Sequence, residues 1–334
     1  MIKKIFPLFL SSLILSSCFS ETNPQNTSLI NDVSIASKTK DVDFPEINVD
    51  QKRMEGYLSV LSGNTASSDG KIPERGTKEG RLQTRKFIKD QLEGMGYKVE
   101  VLKYRNNGEN IVAKLMADSA ETQEYILAGA HMDSVSNSGA NDNGTGSTAI
   151  LEIANVLSKT KNRKVNVMFA WFDEEELGLV GSYAMAKDFK KQGLNISSVH
   201  TMDMMGWDSD KDRTVEIERP DGNLWDYYVS TNKTHNLNLK LVRTNSGDTD
   251  HVAFRASGFK SVGLCEEWAG GDTTPHYHKK TDTYTTVDTG YLASSTKLFT
   301  AAISDLSKGV TVRNTTPIVP HNQFIGRDRP FHKH

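Results

Sequence analysis

The chain has 334 residues, 37% of them hydrophobic, enough to bury a substantial core in one large domain or two small ones. Its formal net charge of −2 gives no basis for a nucleic-acid surface, which needs a clustered excess of Lys and Arg. Cysteine is sparse, only Cys18 and Cys265.

The N-terminus reads as a targeting segment. Lys3 and Lys4 precede an apolar stretch, Ile5 to Leu15, too short for a comfortable spanning helix. It ends in Leu15-Ser16-Ser17-Cys18, which resembles the bacterial lipobox: an apolar residue, two small residues, then cysteine. That resemblance implies a lipoprotein signal peptide over residues 1–17 and a lipid on Cys18. The protein would then be an extracytoplasmic, membrane-anchored lipoprotein, and the mature chain would have no internal disulfide. The competing reading is an ordinary signal peptide cut a few residues away. Residues 18–48, rich in Ser, Thr, Asn and Asp, read as a flexible tether.

A folded domain is expected over residues 49–311. A short amphipathic helix is predicted from Gln51 to Leu61. A stronger one follows from about Thr77 to Met95, with Leu82, Phe87, Ile88 and Leu92 on one face and Gly94 and Gly96 as its stop. Tyr97–Tyr104 and Asn110–Met116 alternate as strands about an Asn106-Asn107-Gly108 turn. The apolar run Tyr125–Ala130 reads as a buried strand ending at His131 and Asp133, followed by a glycine-bracketed loop with Asp142 and a helix through Ile150, Ile153 and Leu157. A second buried strand, Val165–Phe172, runs into Asp173-Glu174-Glu175-Glu176 and a helix from about Leu177 to Gln192. A third, Ile196–Met202, ends in Asp203. Strands recur at Thr214–Ile217, Leu239–Val242 and Ser261–Leu264, with helices at Leu224–His235, Thr249–Ala256 and Thr289–Ser307. The alternation predicts an α/β fold with a mainly parallel or mixed sheet covered by helices on both faces. Residues 312–334 carry neither period and are expected to be a disordered tail.

Five candidate ligands stand at strand ends or loops: His131, Asp142, Glu176, Asp203 and His278. Imidazole nitrogen and carboxylate oxygen are the donors of a catalytic zinc-type centre, and two histidines with three carboxylates suit a pair of ions sharing one carboxylate. Each motif alone is weak: a His-x-Asp is usually accidental, and an acidic run is usually a solvated helix start. The string Gly144-Thr145-Gly146-Ser147-Thr148-Ala149 also matches a dinucleotide fingerprint, but about a dozen residues separate it from its strand, so a phosphate turn is not expected.

Order and context together carry more. The chain resembles the M28 metallopeptidases, di-zinc aminopeptidases of bacteria and their eukaryotic relatives. The resemblance rests on His131-Met132-Asp133-Ser134, Gly139 to Gly146, Phe172 to Ser182 with its Glu-Glu-Leu-Gly-Leu-x-Gly-Ser string, Met202-Asp203, Thr249-Asp250-His251, and Tyr277-His278 with Asp282-Thr283. It covers about residues 50 to 308. It implies two zinc ions bridged by Asp142, with His131 and Asp203 completing one site and Glu176 and His278 the other. Glu175 would be the general base, Glu174 an extra acid, Asp133 the residue orienting His131, and Tyr277 a donor to the oxyanion. Asp250 and His251 would be supporting residues, and His276 an alternative to His278. The implied reaction is hydrolysis of N-terminal peptide bonds, with peptide or protein N-termini as substrates, the membrane as partner through Cys18, no nucleic acid, and a monomer expected. A glutaminyl cyclase or carboxypeptidase on the same fold, and a non-catalytic binding lipoprotein, are the alternatives.

Overall fold

The computed structural model describes residues 47–311 apart from 106, 120 and 121. The expected signal peptide, nearly all of the expected tether and the expected tail lie outside the described residues. No helix among the described residues is long and apolar enough to cross a membrane.

Two helices come first. α1 (Gln51–Leu61) is capped by the Asp50 carboxylate, and α2 (Lys78–Gly94) by the Thr77 hydroxyl, each accepting from an otherwise unpaired backbone N–H. A hairpin follows, β1 (Val99–Arg105) and β2 (Gly108–Leu115), then β3 (Glu124–His131), α3 (Gly146–Ser158), β4 (Asn166–Phe172), α4 (Val180–Gln192) and β5 (Asn195–Asp203). The rest runs β6 (Thr214–Glu218), α5 (Leu224–Thr234), β7 (Lys240–Thr244), α6 (His251–Ala256), β8 (Ser261–Cys265) and α7 (Thr289–Ser307).

The eight strands form one sheet in the order β1-β2-β4-β3-β5-β8-β6-β7. Its centre, β4-β3-β5-β8, is parallel, while β2 runs antiparallel to β4 and β6 antiparallel to β8. The sheet is therefore mixed. β4, β6 and β8 are buried at every residue, and β4 reads accordingly as a nearly unbroken apolar run, whereas the edge strand β1 alternates.

One core joins α1, α3, α5 and α7 to one face of the sheet, through Leu58, Ile150, Leu157, Tyr228, Leu298 and Phe299. A second, on the other face, packs α4 and α6 through Met185, Phe189, Phe254 and Phe259. After β3 the chain moves to β4 on one side and then to β5 on the other. That reversal opens a crevice at the carboxyl ends of the parallel strands, the place where such sheets hold ligands.

Two expectations need correction. Leu82 is 52% exposed, not on the buried face of α2. The inward face instead carries Arg81 and Arg85 to the buried Asp173, at 3.4 and 3.2 Å, so an ion-pair network displaces the apolar pattern. Residues 173–179 do not begin a helix either. They form a turn with Glu174 and Leu179 at positive φ, and α4 starts only at Val180, leaving Leu177 60% exposed. Gly181 permits the turn, because a Cβ there would lie 2.1 Å from the Asp173 carbonyl.

Candidate metal centre

The candidate ligands come from different parts of the sheet. His131 ends β3 and Asp203 ends β5. Glu175 and Glu176 follow β4, and His278 rises from the loop after β8. Asp142 sits in a single wide turn, Ala140–Thr145, where it and Asn143 leave helical geometry. Gly139 opens that turn at φ +57, the left-handed region that glycine enters without strain.

These side chains meet around Asp142. Its Oδ1 lies 3.3 Å from His131 Nε2, and its Oδ2 lies 3.2 Å from His278 Nε2. On the first side His131 Nε2 is 3.4 Å from Asp203 Oδ1; on the second His278 Nε2 is 2.9 Å from Glu176 Oε2. Glu175 Oε2 stands 3.9 Å from His131 Nε2. Donor atoms of His131, Glu175 and Asp203, and of His131, Asp142 and Glu176, all fall within 4.8 Å of one another. All five sequence-predicted ligands are thus in one pocket.

The electrostatics are those of a cation site. His131 is buried, and neither ring nitrogen makes a well-aligned hydrogen bond. Burial works against its imidazolium, yet the neighbouring carboxylates, Glu175 first, hold its pKa well above the ordinary value. Burial likewise opposes charge on His278, but Asp142 and Glu176 raise it to about 10. Burial pushes the Glu175 pKa well up and, with the Asp142 charge, takes Glu176 to about 7. Asp142 moves the other way: burial is outweighed by its two histidines, and its pKa falls. Carboxylates packed this densely in a buried crevice call for positive charge, and their oxygen and imidazole donors, with no thiolate among them, suit divalent ions of the zinc kind.

Around the donors lies a bracing layer. Asp133 accepts from the backbone N–H groups of Glu175 and Glu176 at 3.1 and 3.3 Å and faces His131 Nδ1 at 3.5 Å. Val135 N–H holds the other oxygen of Glu176. Asp282 accepts from the N–H of Asn141 and Asp142 at 2.7 and 3.1 Å, and burial raises its pKa to about 6. Glu266 accepts from the Asn141 amide and from the N–H of Gly206 and Trp207, joining the Asp142 turn to the segment after Asp203. Tyr277 is stacked on the His278 ring, centroids 3.8 Å apart, and meets Trp268 edge-on at 4.7 Å.

The other sequence candidates fall elsewhere. His276 is turned to Thr281 and Trp207. His251 is buried against Thr249. The glycines of the dinucleotide-like string are packed rather than open: a Cβ on Gly146 would lie 2.7 Å from the Met202 carbonyl.

Sequence reading missed Arg75. It is fully buried, and its guanidinium donates to the carbonyls of Met132, Leu61, Ser138 and Gly139. It thereby clamps the segment after β3 to the Asp142 turn and sets one positive charge beneath the carboxylates. No local pattern around Glu74-Arg75-Gly76 signals this, because every acceptor lies outside the reach of a helical or strand period. Arg75→Met would leave these carbonyls unpaired, at about 1–3 kcal/mol for each that water cannot reach. The expected loss is about 3–5 kcal/mol, measured as a shift in the urea midpoint with an unchanged slope.

Comparison with known proteins agrees with this geometry. The family described as Peptidase family M28 matches residues 110–303. Leupeptin-inactivating enzyme 1 of Streptomyces exfoliatus is 25% identical over 317 residues, covering 87% of this chain and 67% of that protein. Aminopeptidase YwaD of Bacillus subtilis is 30% identical over 208 residues, covering 60% of this chain and 45% of its own length. The "Probable lipoprotein aminopeptidase LpqL" of Mycobacterium tuberculosis is 27% identical, covering 72% of this chain and 52% of that protein. Among solved structures, the zinc aminopeptidase BSAP from Bacillus subtilis superposes with a TM-score of 0.71 at 16% identity, over 79% of this chain and 96% of that one. A Porphyromonas gingivalis glutaminyl cyclase does so with a TM-score of 0.64 at 16% identity, over 77% and 99%, so the fold alone is common to peptidases and cyclases. The family match runs from β2 into α7 and takes in every donor named above, and on that ground the chain belongs to peptidase family M28, a family of metallopeptidases.

Proposed function

We propose that the protein is an aminopeptidase whose centre holds two zinc ions, in a peptidase domain spanning residues 49–311. The observation that carries this reading is the division of labour on Asp142. One of its oxygens faces His131 and Asp203, the other His278 and Glu176, giving two donor sets that share a carboxylate. Ions held there supply Lewis acidity, lowering the pKa of a water and polarising the scissile carbonyl.

The chain's own residues do the rest. Glu175 is the general base: it takes the water's proton at a carboxylate oxygen and delivers it to the leaving amine. Its position is set through the backbone, since Asp133 grips the N–H groups of Glu175 and Glu176 together. Adjacent residues project differently, so Glu176 turns to His278 while Glu175 faces the His131 side. Asp133 also orients the His131 ring. Tyr277, braced against Trp268, is the hydrogen-bond donor assigned to the developing oxyanion.

The lipobox-like Leu15-Ser16-Ser17-Cys18 is read as the anchor point, a lipid on Cys18 tethering the domain to a membrane outside the cytoplasm. The lipoprotein named among its relatives supports that reading. The decisive assay is release of p-nitroaniline from leucyl-p-nitroanilide by the metal-loaded protein. Turnover is expected to fall by about a hundredfold or more after chelation and to return with zinc. Elemental analysis should give two ions per chain. Equal cleavage of the N-acetylated substrate would remove the aminopeptidase reading, and ring closure of a glutaminyl peptide without leucyl cleavage would favour the cyclase.

A further inference from the structure

Glu174 is the acid left over by the family pattern, and its surroundings differ from those of its two neighbours. The residue is buried, at φ 60. Arg81 Nη1 donates to its Oε1 at 2.8 Å, and Arg105 Nε and the Tyr104 hydroxyl donate to its Oε2 at 2.7 and 2.9 Å. Arg81, Arg105, Asn107 and Glu174 line an open cavity of about 370 Å³.

Positive charge predominates in this lining. Its lining sets two guanidinium groups and an amide against one carboxylate that is already doubly paired. The adjoining Asp173 and Glu109 are matched by Arg85 and Lys103, which pair with them, so the excess stays positive. Donors are left over as well. Arg105 spends only its Nε on Glu174, and among the described residues its two terminal nitrogens have no acceptor, although the side chain is only half exposed. Arg81, 8% exposed, already pairs with Asp173 and Glu174 and contributes charge to the lining rather than a free donor. A planar guanidinium with free terminal nitrogens matches a carboxylate two bonds at a time.

Its position relates it to the peptidase chemistry. β1 and β4 both run antiparallel to β2, so Arg105, at the end of β1, lies on the same edge of the sheet as the metal centre. Glu174 immediately precedes Glu175 in the chain. Each extended substrate residue spans about 3.5 Å, so peptides of different length read out how far the cavity lies from the cleaved bond.

We propose that this cavity is a carboxylate subsite on the leaving side of the scissile bond, making the enzyme prefer short peptides that carry a carboxylate two or three residues after the N-terminal one. The inference rests on the aminopeptidase reading. The carboxylate can be the peptide's own C-terminus or an acidic side chain; the chemistry at Arg105 and Arg81 is the same.

The test compares Leu-Gly-Gly, its C-terminal amide, Leu-Gly-Glu-amide and leucyl-p-nitroanilide, using the metal-loaded parent and its Arg105→Gln and Arg105→Lys variants. In the parent, kcat/KM for a carboxylate-bearing peptide should exceed that for Leu-Gly-Gly-amide by about three- to tenfold, mostly through KM. Preference for Leu-Gly-Gly alone identifies the chain terminus as the source, and preference for Leu-Gly-Glu-amide identifies the side chain. Arg105→Gln should bring the ratio to within about twofold of one, and Arg105→Lys should keep part of it, since the ammonium retains the charge but not the fork. A parent with no preference overturns the proposal. So does a variant that slows all four substrates in parallel, because Arg105 would then only support the Glu174 turn. Failure of the aminopeptidase reading has a different signature, no p-nitroaniline from the parent; in that event equal calorimetric affinity of the parent for Leu-Gly-Gly and its amide would overturn the subsite independently.

Discussion

Glutamine in place of Glu175 is expected to lower kcat on leucyl-p-nitroanilide by about 10²–10⁴-fold while the zinc content stays at the parent's value. The amide keeps the size of the side chain and cannot accept the water's proton, so the loss should sit in kcat, with KM little changed. The bracing supports this separation of roles. Asp133 holds residue 175 through its backbone N–H, a contact the substitution leaves alone. The two donor sets on Asp142 also remain whole. Glu176→Gln is the informative contrast: its Oε2 is 2.9 Å from His278 Nε2, so metal content should fall along with activity. If Glu175→Gln stayed within tenfold of the parent, the base would have to be sought elsewhere, and the carboxylate order after β4 would need to be reassigned.

Removing the metal should destabilise the fold, and more so as pH rises. Zinc that binds only the native state at about a hundred times its Kd adds roughly 2.7 kcal/mol per ion. At about 2 °C per kcal/mol for a domain of this size, two ions correspond to a Tm difference of about 10 °C. The pH dependence follows from the direction of the shifts. Glu176, raised from 4.5 to about 7, and Asp282, raised from 3.8 to about 6, bind protons more tightly folded than unfolded. Their protonation stabilises the metal-free fold below those values, and that contribution is lost as pH climbs through about 4 to 7. His278 acts with the same sign: its favourable contribution is full below 6.5 and fades as pH approaches about 10. Protons on the imidazoles and carboxylates thus supply the charge that cations would. Differential scanning calorimetry with and without chelator, from pH 5.5 to 8.5, should show the gap widening with pH. A constant gap would mean that the acidic cluster and the metal do not compete for the same oxygens.

Much of this was legible because the chemistry stands next to strong patterns. His131 and Glu175-Glu176 each follow an apolar run that reads as an interior strand, Asp203 ends a more polar one, and α1 and α7 end where caps and periodicity place them. The side chains that hold the donors in register were harder to see. Arg75, Glu266 and Asp282 act on the metal-site loops across 57 to 140 residues of sequence, and Glu174 looked like a solvated acid until Arg81 and Arg105 were found beside it. Leu82 was misread because the inward face of α2 is spent on arginines whose partner lies across the fold, which helical periodicity cannot register.

The amino-acid order by itself determined most of the elements, the chemical kind of donor and the place of His131 and Asp203 at strand ends, because burial periodicity and side-chain chemistry are local properties. Tertiary structure decided the mixed pairing of the sheet, the split of Asp142 between two histidines, and the arginine-lined cavity beside Glu174. Those depend on strands and loops far apart in the chain arriving within a few ångströms of one another, and only the closed sheet sets those distances.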